Sequence, residues 1–267
     1  MLITSRDNSL LRQARAVRDG KVDDLIYVEG LRLCEEALQS KLSIQAVIFS
    51  EEIVRKEKAA KVIAALEKVA DRSGSVSEKL LESISYTKTP QGIVVLATRP
   101  EASQQRLTAA ARSDSPLLVV LHRINNPVNV GAILRSAEAA GATGAIATVN
   151  TSDPFLPKSL RGAMGSAFRL PLWLGPEYAE VIEWSKEALI STVCTAATAD
   201  TNYTEADWTG PTALILGPES TGFTGDELAA ASQVVKIPMQ GAVESLNVSV
   251  AAGILLYEAS RQRHLRK

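Results

Sequence analysis

The first hundred residues alternate between two hydrophobic patterns. Runs of consecutive apolar residues predict strands at 25–30, 44–50 and 91–98. Apolar residues at steps of three and four, with charges on the opposite side, predict helices at 30–40 and 55–70. Strands and helices that alternate over so short a stretch indicate a small α/β domain.

From residue 116 onward the strand and helix patterns alternate more regularly. Helices are predicted over about 130–140, over 176–189 and from Asn247 onward. The predicted strands lie at 116–124, 145–149, 168–174, 191–197, 211–217 and 234–239. This alternation predicts an α/β domain with a mostly parallel sheet and helices on both faces. Because ligands of such sheets bind at the carboxyl ends of the strands, the loops after the strands are expected to carry the chemistry.

A polar, Ala-rich stretch with a proline near each end, residues 99–116, separates the two patterns. It is typical of a linker or of a solvated helix. We therefore predict a first domain over 1–99, a linker over 100–114 and a second domain over 115–267. The length of 267 residues and the 46% apolar content suit two folded domains and exclude a disordered protein.

The charges divide unevenly between the two halves. The whole chain carries a net charge of −1, which argues against attraction of the entire surface to nucleic acid. Residues 1–112 carry +3 and residues 113–267 carry −4, so a polyanion is expected to contact the first half. Five basic residues crowd near the start and form either a solvated helix face or an RNA-contacting face: Arg6, Arg12, Arg15, Arg18 and Lys21.

Several kinds of site are not expected. The sequence has two cysteines, Cys34 and Cys194, and two histidines, which are too scattered for a metal cluster or a disulfide framework. So few cysteines are consistent with a protein of the reducing cytoplasm. Arg6 and Asp7 interrupt the region where a secretory leader would need an apolar run. The charge-free stretches are shorter than the ~18–20 residues that would span a bilayer. We expect no metal and no membrane partner.

The first strand-exit loop, 123–142, opens a helix. Asn129 is predicted to cap that helix by accepting a backbone N–H. Arg135 follows among small and apolar residues, a setting that is costly for a guanidinium unless an anion meets it. The alternative for Arg135 is an ordinary pairing with a helix-end carbonyl or with Glu138.

The second and third loops are also rich in glycine and small polar residues. In loop 214–228, Glu219 follows the turn at Gly217 and is a candidate hydrogen-bond acceptor, although neither a Walker loop nor a dinucleotide fingerprint is present. In loop 236–263, Ser245 is predicted to cap the last helix, with Asn247 beside it. The apolar stripe that follows along this helix is expected to be core.

The three segments NNPVNVGAILRSAEAAG, LILGPESTGF and IPMQGAVESLNVSVAAGILLYEASRQR, in this order, closely resemble the motifs of the SpoU (TrmH-type) RNA ribose 2′-O-methyltransferases of the SPOUT superfamily. The resemblance is firm over about 115–263. The segments SRDNSLLRQAR and LIYVEGLRLCEEAL more loosely resemble the ribosomal-protein-like substrate-binding domain that often precedes this domain.

The resemblance implies a parallel-sheet domain with a deep trefoil knot, preceded by a small α/β substrate-binding domain that carries the RNA contact. It also implies a homodimer with the site near the subunit interface. S-adenosylmethionine would be bound in the knotted loops, largely by backbone groups. The corresponding positions are Thr195, Leu216, Gly217, Ile237, Met239 and Leu246. Residues 153–173 also resemble a family segment, in which Arg161 and Ser166 either face the RNA or only form a turn.

Arg135 matches the arginine that the family is commonly held to use as a general base. Because arginine keeps its proton above pH ~12, we prefer the hypothesis that Arg135 binds a phosphate of the target nucleotide and stabilises the forming alkoxide. Asn129, Glu219, Ser245 and Asn247 would then fix its orientation. The expected RNA-binding residues are Arg6, Arg18, Lys21 and Arg161.

The resemblance leaves the substrate open. A substrate-binding domain related to a ribosomal protein favours ribosomal RNA over transfer RNA. Two further alternatives are a catalytically inactive RNA-binding homologue and a generic nucleotide-binding α/β enzyme. The sequence lacks the glycine fingerprint and the acidic ribose partner that the last of these would need.

Overall fold

A computed structural model describes residues 1–218 and 221–265. Glu219, one of the predicted site residues, lies outside the described residues. The chain divides into two compact units. The first unit contains Met1–Pro100 and Phe155–Arg169, and the second contains Glu101–Pro154 and the residues from Leu170 onward.

The elements are numbered in chain order. The strands are β1 Leu2–Ile3, β2 Leu25–Glu29, β3 Ile44–Ser50, β4 Arg72–Val76, β5 Ile93–Thr98, β6 Leu117–Leu121, β7 Gly144–Ala147, β8 Leu172–Leu174, β9 Ser191–Thr195, β10 Thr201–Asn202, β11 Thr212–Leu216 and β12 Gln233–Lys236. The helices are α1 Ser9–Arg18, α2 Leu31–Gln39, α3 Glu57–Glu67, α4 Glu78–Ile84, α5 Gln104–Ala110, α6 Pro127–Ala139, α7 Pro157–Ala163, α8 Ser166–Arg169, α9 Tyr178–Glu187, α10 Gly225–Ala230 and α11 Val248–His264. No helix within these ranges is both long and apolar enough to cross a bilayer.

The first unit is built on a five-stranded mixed sheet in the order β1-β4-β3-β5-β2. Strand β5 is antiparallel to both of its neighbours, whereas β1, β4 and β3 run parallel. Its core includes Leu11, Tyr27 and Ile48, which are all buried. The hydroxyl of Tyr27 donates to the carbonyl oxygen of Ile84 at 2.7 Å, so its polar end is satisfied inside that core.

The second unit is built on a seven-stranded sheet in the order β10-β12-β9-β11-β6-β7-β8. Every pairing in it is parallel, which confirms the predicted sheet type. The central strands β6 and β11 are buried along their whole length, as expected for strands covered on both faces. Their carboxyl ends therefore meet at one edge, together with those of β9 and β12.

The stretch predicted as a linker contains helix α5 and belongs to the second unit. Leu107 of this helix is fully buried and is part of the core of that unit. The indole N–H of Trp184 also donates to the hydroxyl of Thr108 at 3.2 Å. One apolar side chain in a polar, Ala-rich stretch is a weak hydrophobic signal, but it is enough to attach the helix.

The segment Phe155–Arg169 lies within the range predicted for the second domain, yet it groups with the first unit. The guanidinium of Arg99 lies 4.6 Å from the centre of the Phe155 ring. Arg169 donates to the carboxylate of Glu36 at 2.6 Å. Ser166, which the resemblance offered as RNA-facing, is buried. A strand predicted over 168–174 is shortened to β8, because α8 continues to Arg169 and Pro171 follows.

Candidate active site

Two adjoining cavities lie at the carboxyl ends of the strands in the second unit. The larger has a volume of about 510 Å³ and the smaller about 160 Å³. Their walls come from the residues after β9, from the loop after β11, from the end of β12 and from the turn that leads into α11. This is the edge at which parallel α/β sheets bind their ligands.

All six positions predicted to hold the cofactor line these cavities. Leu216 and Gly217 border the larger one, and Ile237 and Met239 border the smaller one. Thr195 and Leu246 contribute to both. Three loops that are far apart in the sequence are thus brought together.

The two asparagines of the predicted catalytic set are in contact. Asn247 Nδ2 donates to Asn129 Oδ1 at 3.3 Å, which links α11 to α6. Asn129 is buried, and Asn247 borders the larger cavity. Ser245 is exposed and borders both cavities.

The predicted helix caps were wrong for both helices. The N-cap of α6 is Asn126, whose side chain accepts from the backbone N of Val128 at 3.0 Å, and Pro127 occupies the first helical position. Asn129 is therefore inside the helix. The N-cap of α11 is Asn247 rather than Ser245, because Asn247 Oδ1 accepts from the backbone N of Ser249 at 2.9 Å. Each helix begins at the asparagine that can make the capping bond.

Arg135 is exposed, so the predicted apolar surroundings were wrong. Ile133, Leu134 and Ala137 are buried on the other side of α6. The helical rotation of about 100° per residue separates them from Arg135. Among the described residues the structure records no hydrogen bond or ion pair for Arg135, and the alternative pairing with Glu138 is not observed. The guanidinium is open to a ligand from solution.

The four predicted RNA-binding residues differ in their surroundings. Arg6, Lys21 and Arg161 are exposed. Arg18 instead donates to Asp19 at 2.8 Å and to the carbonyl oxygens of Ser83 and Ser85, both at 3.3 Å. Arg18 therefore satisfies carbonyls at the end of α4, which is a structural task.

Replacing Arg18 by methionine is expected to lower the free energy of unfolding by about 1 kcal/mol, because the last carbonyls of α4 lose their donor. The matched change Lys21→Met removes an exposed charge and should stay within about 0.5 kcal/mol of the wild type. Urea unfolding of the two variants measures both values. Equal stability of the two variants would contradict the structural role of Arg18.

A polar cluster beside the larger cavity was missed by the sequence analysis. His122 directly follows β6, is buried, and approaches Glu227 of α10 with 3.1 Å between Nε2 and Oε1. Arg123 Nη2 donates to both carboxylate oxygens of Glu227, at 2.7 and 2.9 Å. The available signal was a polar His-Arg pair immediately after an apolar strand. We call these three residues the His122 cluster.

The sequence matches the SpoU rRNA Methylase family over residues 116–257 and the MRM3-like substrate binding domain over 11–95. It is 31% identical to an uncharacterized tRNA/rRNA methyltransferase of Synechocystis sp., over 98% of this chain and 94% of the relative. It is 36% identical to the 23S rRNA (guanosine-2′-O-)-methyltransferase RlmB of Shewanella oneidensis, over 70% of this chain and 77% of the relative. The tRNA (guanosine(18)-2′-O)-methyltransferase of Thermus thermophilus is 38% identical, over 62% of this chain and 85% of the relative.

A solved structure, the AdoMet bound rRNA methyltransferase from Sinorhizobium meliloti, superposes with a TM-score of 0.84. The two sequences are 28% identical, and the match covers 98% of this chain and 97% of the solved chain. The chain belongs to the SpoU rRNA methylase family, as the motif resemblance predicted. It is an RNA methyltransferase that takes its methyl group from S-adenosylmethionine.

The larger cavity suits this cofactor. Its volume lies within the usual range of ligand sites, and apolar side chains such as Leu216, Phe223 and Leu246 offer faces for an adenine. Hydroxyl groups come from Thr195 and Ser245. No Lys or Arg among the described residues lines it, which is favourable for a ligand with a positive sulfonium. At Gly217 an added Cβ would come within 2.5 Å of the Phe223 ring, so the cavity wall has no room for a side chain there.

Proposed function

We propose that this enzyme methylates a ribose 2′-hydroxyl of ribosomal RNA. The observation that carries the proposal is the convergence of all six predicted cofactor positions on one pair of cavities at the strand ends. The motif of α6, with Asn129 and Arg135, belongs to the same unit. The match of the first unit to a substrate-binding domain supports a large RNA as the partner.

Backbone groups near Leu216, Gly217, Ile237 and Leu246 would hold the cofactor, with Thr195 and Met239 beside them. When bound, S-adenosylmethionine supplies an electrophilic methyl group on a sulfonium. The 2′-oxygen must approach in line with the breaking carbon–sulfur bond, so positioning is a main task of the protein.

Arg135 would bind a phosphate of the target nucleotide and stabilise the negative charge that develops on the 2′-oxygen. Its exposure and its lack of a recorded partner among the described residues support this role. The contact of Asn247 with Asn129 would fix the start of α6 against the cofactor loops. Ser245 and Glu219 complete the proposed set.

The protein is proposed to act as a homodimer. Val250 and Tyr257 of α11 are half exposed, and Ile254 lies between them at helical spacing. Val128 of α6, which packs against α11, is also exposed. Exposed apolar side chains that share a helix face suit burial against a second copy. The family resemblance further implies the trefoil knot and a site near this interface, in a cytoplasmic enzyme.

The double substitution of Val250 and Tyr257 by glutamate is expected to convert the dimer to monomers. The dimer interface would otherwise bury four carboxylates, two from each subunit. Sedimentation velocity measures the change. The two side chains are exposed, so the far-ultraviolet circular dichroism should be unchanged. A wild-type protein that sediments as a monomer at micromolar concentration would contradict the dimer.

The substrate can be identified by transfer of a radiolabelled methyl group to separate ribosomal and transfer RNA pools, followed by nuclease mapping. We expect label in a ribose of ribosomal RNA. Label in transfer RNA alone would support the second candidate, for which the Thermus thermophilus relative is the specific observation. Label in a base would contradict ribose methylation. Cofactor binding without transfer to any RNA would indicate an inactive homologue.

A further inference from the structure

The His122 cluster joins the exit of β6 to α10 at the edge of the cofactor cavity. The backbone N of His122 donates to the carbonyl oxygen of Leu216 at 2.9 Å, directly beside Gly217. Arg123 has a φ of +53°, a conformation that is uncommon for a residue other than glycine. Its backbone N donates to Thr148 Oγ1 at 3.3 Å. The surroundings therefore hold both residues in place at the strand exit.

The hydrogen bonds place a proton on one nitrogen of His122. A carboxylate only accepts, so His122 Nε2 carries the proton that it donates to Glu227, and Nδ1 pairs with the hydroxyl of Thr148 at 3.1 Å. Burial lowers the pKa of His122, which favours the neutral form. Burial alone would raise the pKa of Glu227. The bonds from Thr224 and His122 and the charge of Arg123 outweigh burial, and the net pKa is lowered.

The same carboxylate also organises the wall of the cavity. Glu227 Oε2 accepts from the backbone N of Thr224 at 2.8 Å, while Thr224 Oγ1 accepts from the backbone N of Glu227 at 3.2 Å. This capping box opens α10 immediately after Phe223. The ring of Phe223 lies parallel to that of His122, with 5.9 Å between their centres, and covers Gly217. Phe223 and Leu228, on either side of the box, border the larger cavity.

Helix α10 is only partly packed against the core. None of its six residues is fully buried, although Leu228 and Ala230 pack against the core. The hydroxyl of Tyr178 donates to the backbone oxygen of Glu227 at 2.8 Å, which again fixes the helix at this residue. A capping box does not by itself need further partners. In the box of α9, Glu177 with Glu180, no histidine or arginine among the described residues is hydrogen-bonded to the Glu180 carboxylate.

We propose that His122, Arg123 and Glu227 are positioning residues for S-adenosylmethionine, which set the distance between the Phe223 wall and the loop at Gly217. The inference rests on the proposed function, because it assigns this cavity to the cofactor. The three side chains take no direct part in methyl transfer. They act through Phe223 and Leu228.

The test compares Glu227→Gln with Glu180→Gln, two substitutions of the same kind at the third position of a capping box. Calorimetric titration with S-adenosylmethionine should give a Kd about 5- to 20-fold higher for Glu227→Gln and an unchanged Kd for Glu180→Gln. The KM for the cofactor should rise in parallel. The kcat at saturating cofactor should stay within about twofold, because the reacting groups are intact.

Several results would contradict the positioning role, and one would contradict the proposed function. A wild-type Kd in Glu227→Gln, or an equal loss in both variants, overturns the positioning role. A fall in kcat without a change in Kd also overturns it. If Glu227→Gln does not fold, Arg123→Met keeps the capping box and the histidine bond, and it should raise the Kd in the same direction. Failure of the wild type to bind S-adenosylmethionine would instead contradict the proposed function.

Discussion

Replacement of Arg135 by alanine is expected to slow methyl transfer by about 10²–10³-fold at saturating RNA and cofactor. The exposed guanidinium has no recorded partner among the described residues, so its removal breaks no structural contact. The Kd for S-adenosylmethionine should therefore stay within about twofold of the wild type. Single-turnover transfer of a labelled methyl group measures the rate, and calorimetric titration measures the Kd.

Arg135→Lys separates the two roles that have been considered for this residue. A lysine keeps the positive charge but loses the forked donor geometry, so partial activity is expected if the role is electrostatic. Arg112→Ala is the matched control, because Arg112 is another exposed arginine of the same unit. Complete loss of activity in Arg135→Lys, with RNA and cofactor binding unchanged, would contradict a purely electrostatic role.

Replacement of Gly217 by alanine is expected to weaken S-adenosylmethionine binding by about 10- to 100-fold. The added Cβ would come within 2.5 to 2.8 Å of three atoms of the Phe223 ring. That ring also stacks on His122, so it cannot retreat without disturbing the cavity wall. Equilibrium binding of the labelled cofactor measures the loss.

Gly210 provides the control for this substitution. It precedes β11, whereas Gly217 follows it, and an added Cβ at Gly210 meets nothing within 4 Å. Gly210→Ala should therefore bind the cofactor like the wild type. The double variant with Gly217→Ala and Phe223→Leu should recover part of the affinity, because the smaller side chain makes room. No recovery would show that the clash with Phe223 is not the cause.

Periodicity and loop composition predicted the features that depend on neighbouring residues. The buried strands Leu117–Leu121 and Thr212–Leu216 are continuous apolar runs, so their place in a parallel sheet could be read directly. The resemblance of the three loops then placed Gly217 and Leu246 at the cofactor cavity. Both inferences use information that is contained in one short segment at a time.

The errors arise where several residues compete for one task. Asn126 and Asn129 can both cap a helix. Pro127 favours a helix that begins directly after Asn126, because proline is preferred at the first helical position, and composition alone does not show this preference. The exposure of Arg135 depends on the rotation of α6 against its neighbours, which the small side chains around it do not define. The His122 cluster joins residues 105 positions apart, and only the completed sheet brings them together.

The return of Phe155–Arg169 to the first unit means that the chain passes between the two units three times. A fragment that begins at residue 101 would keep this segment but lose the residues on which it packs. The ion pair of Arg169 with Glu36 would then be lost. Exchange of the first unit between relatives would therefore require a graft with three junctions.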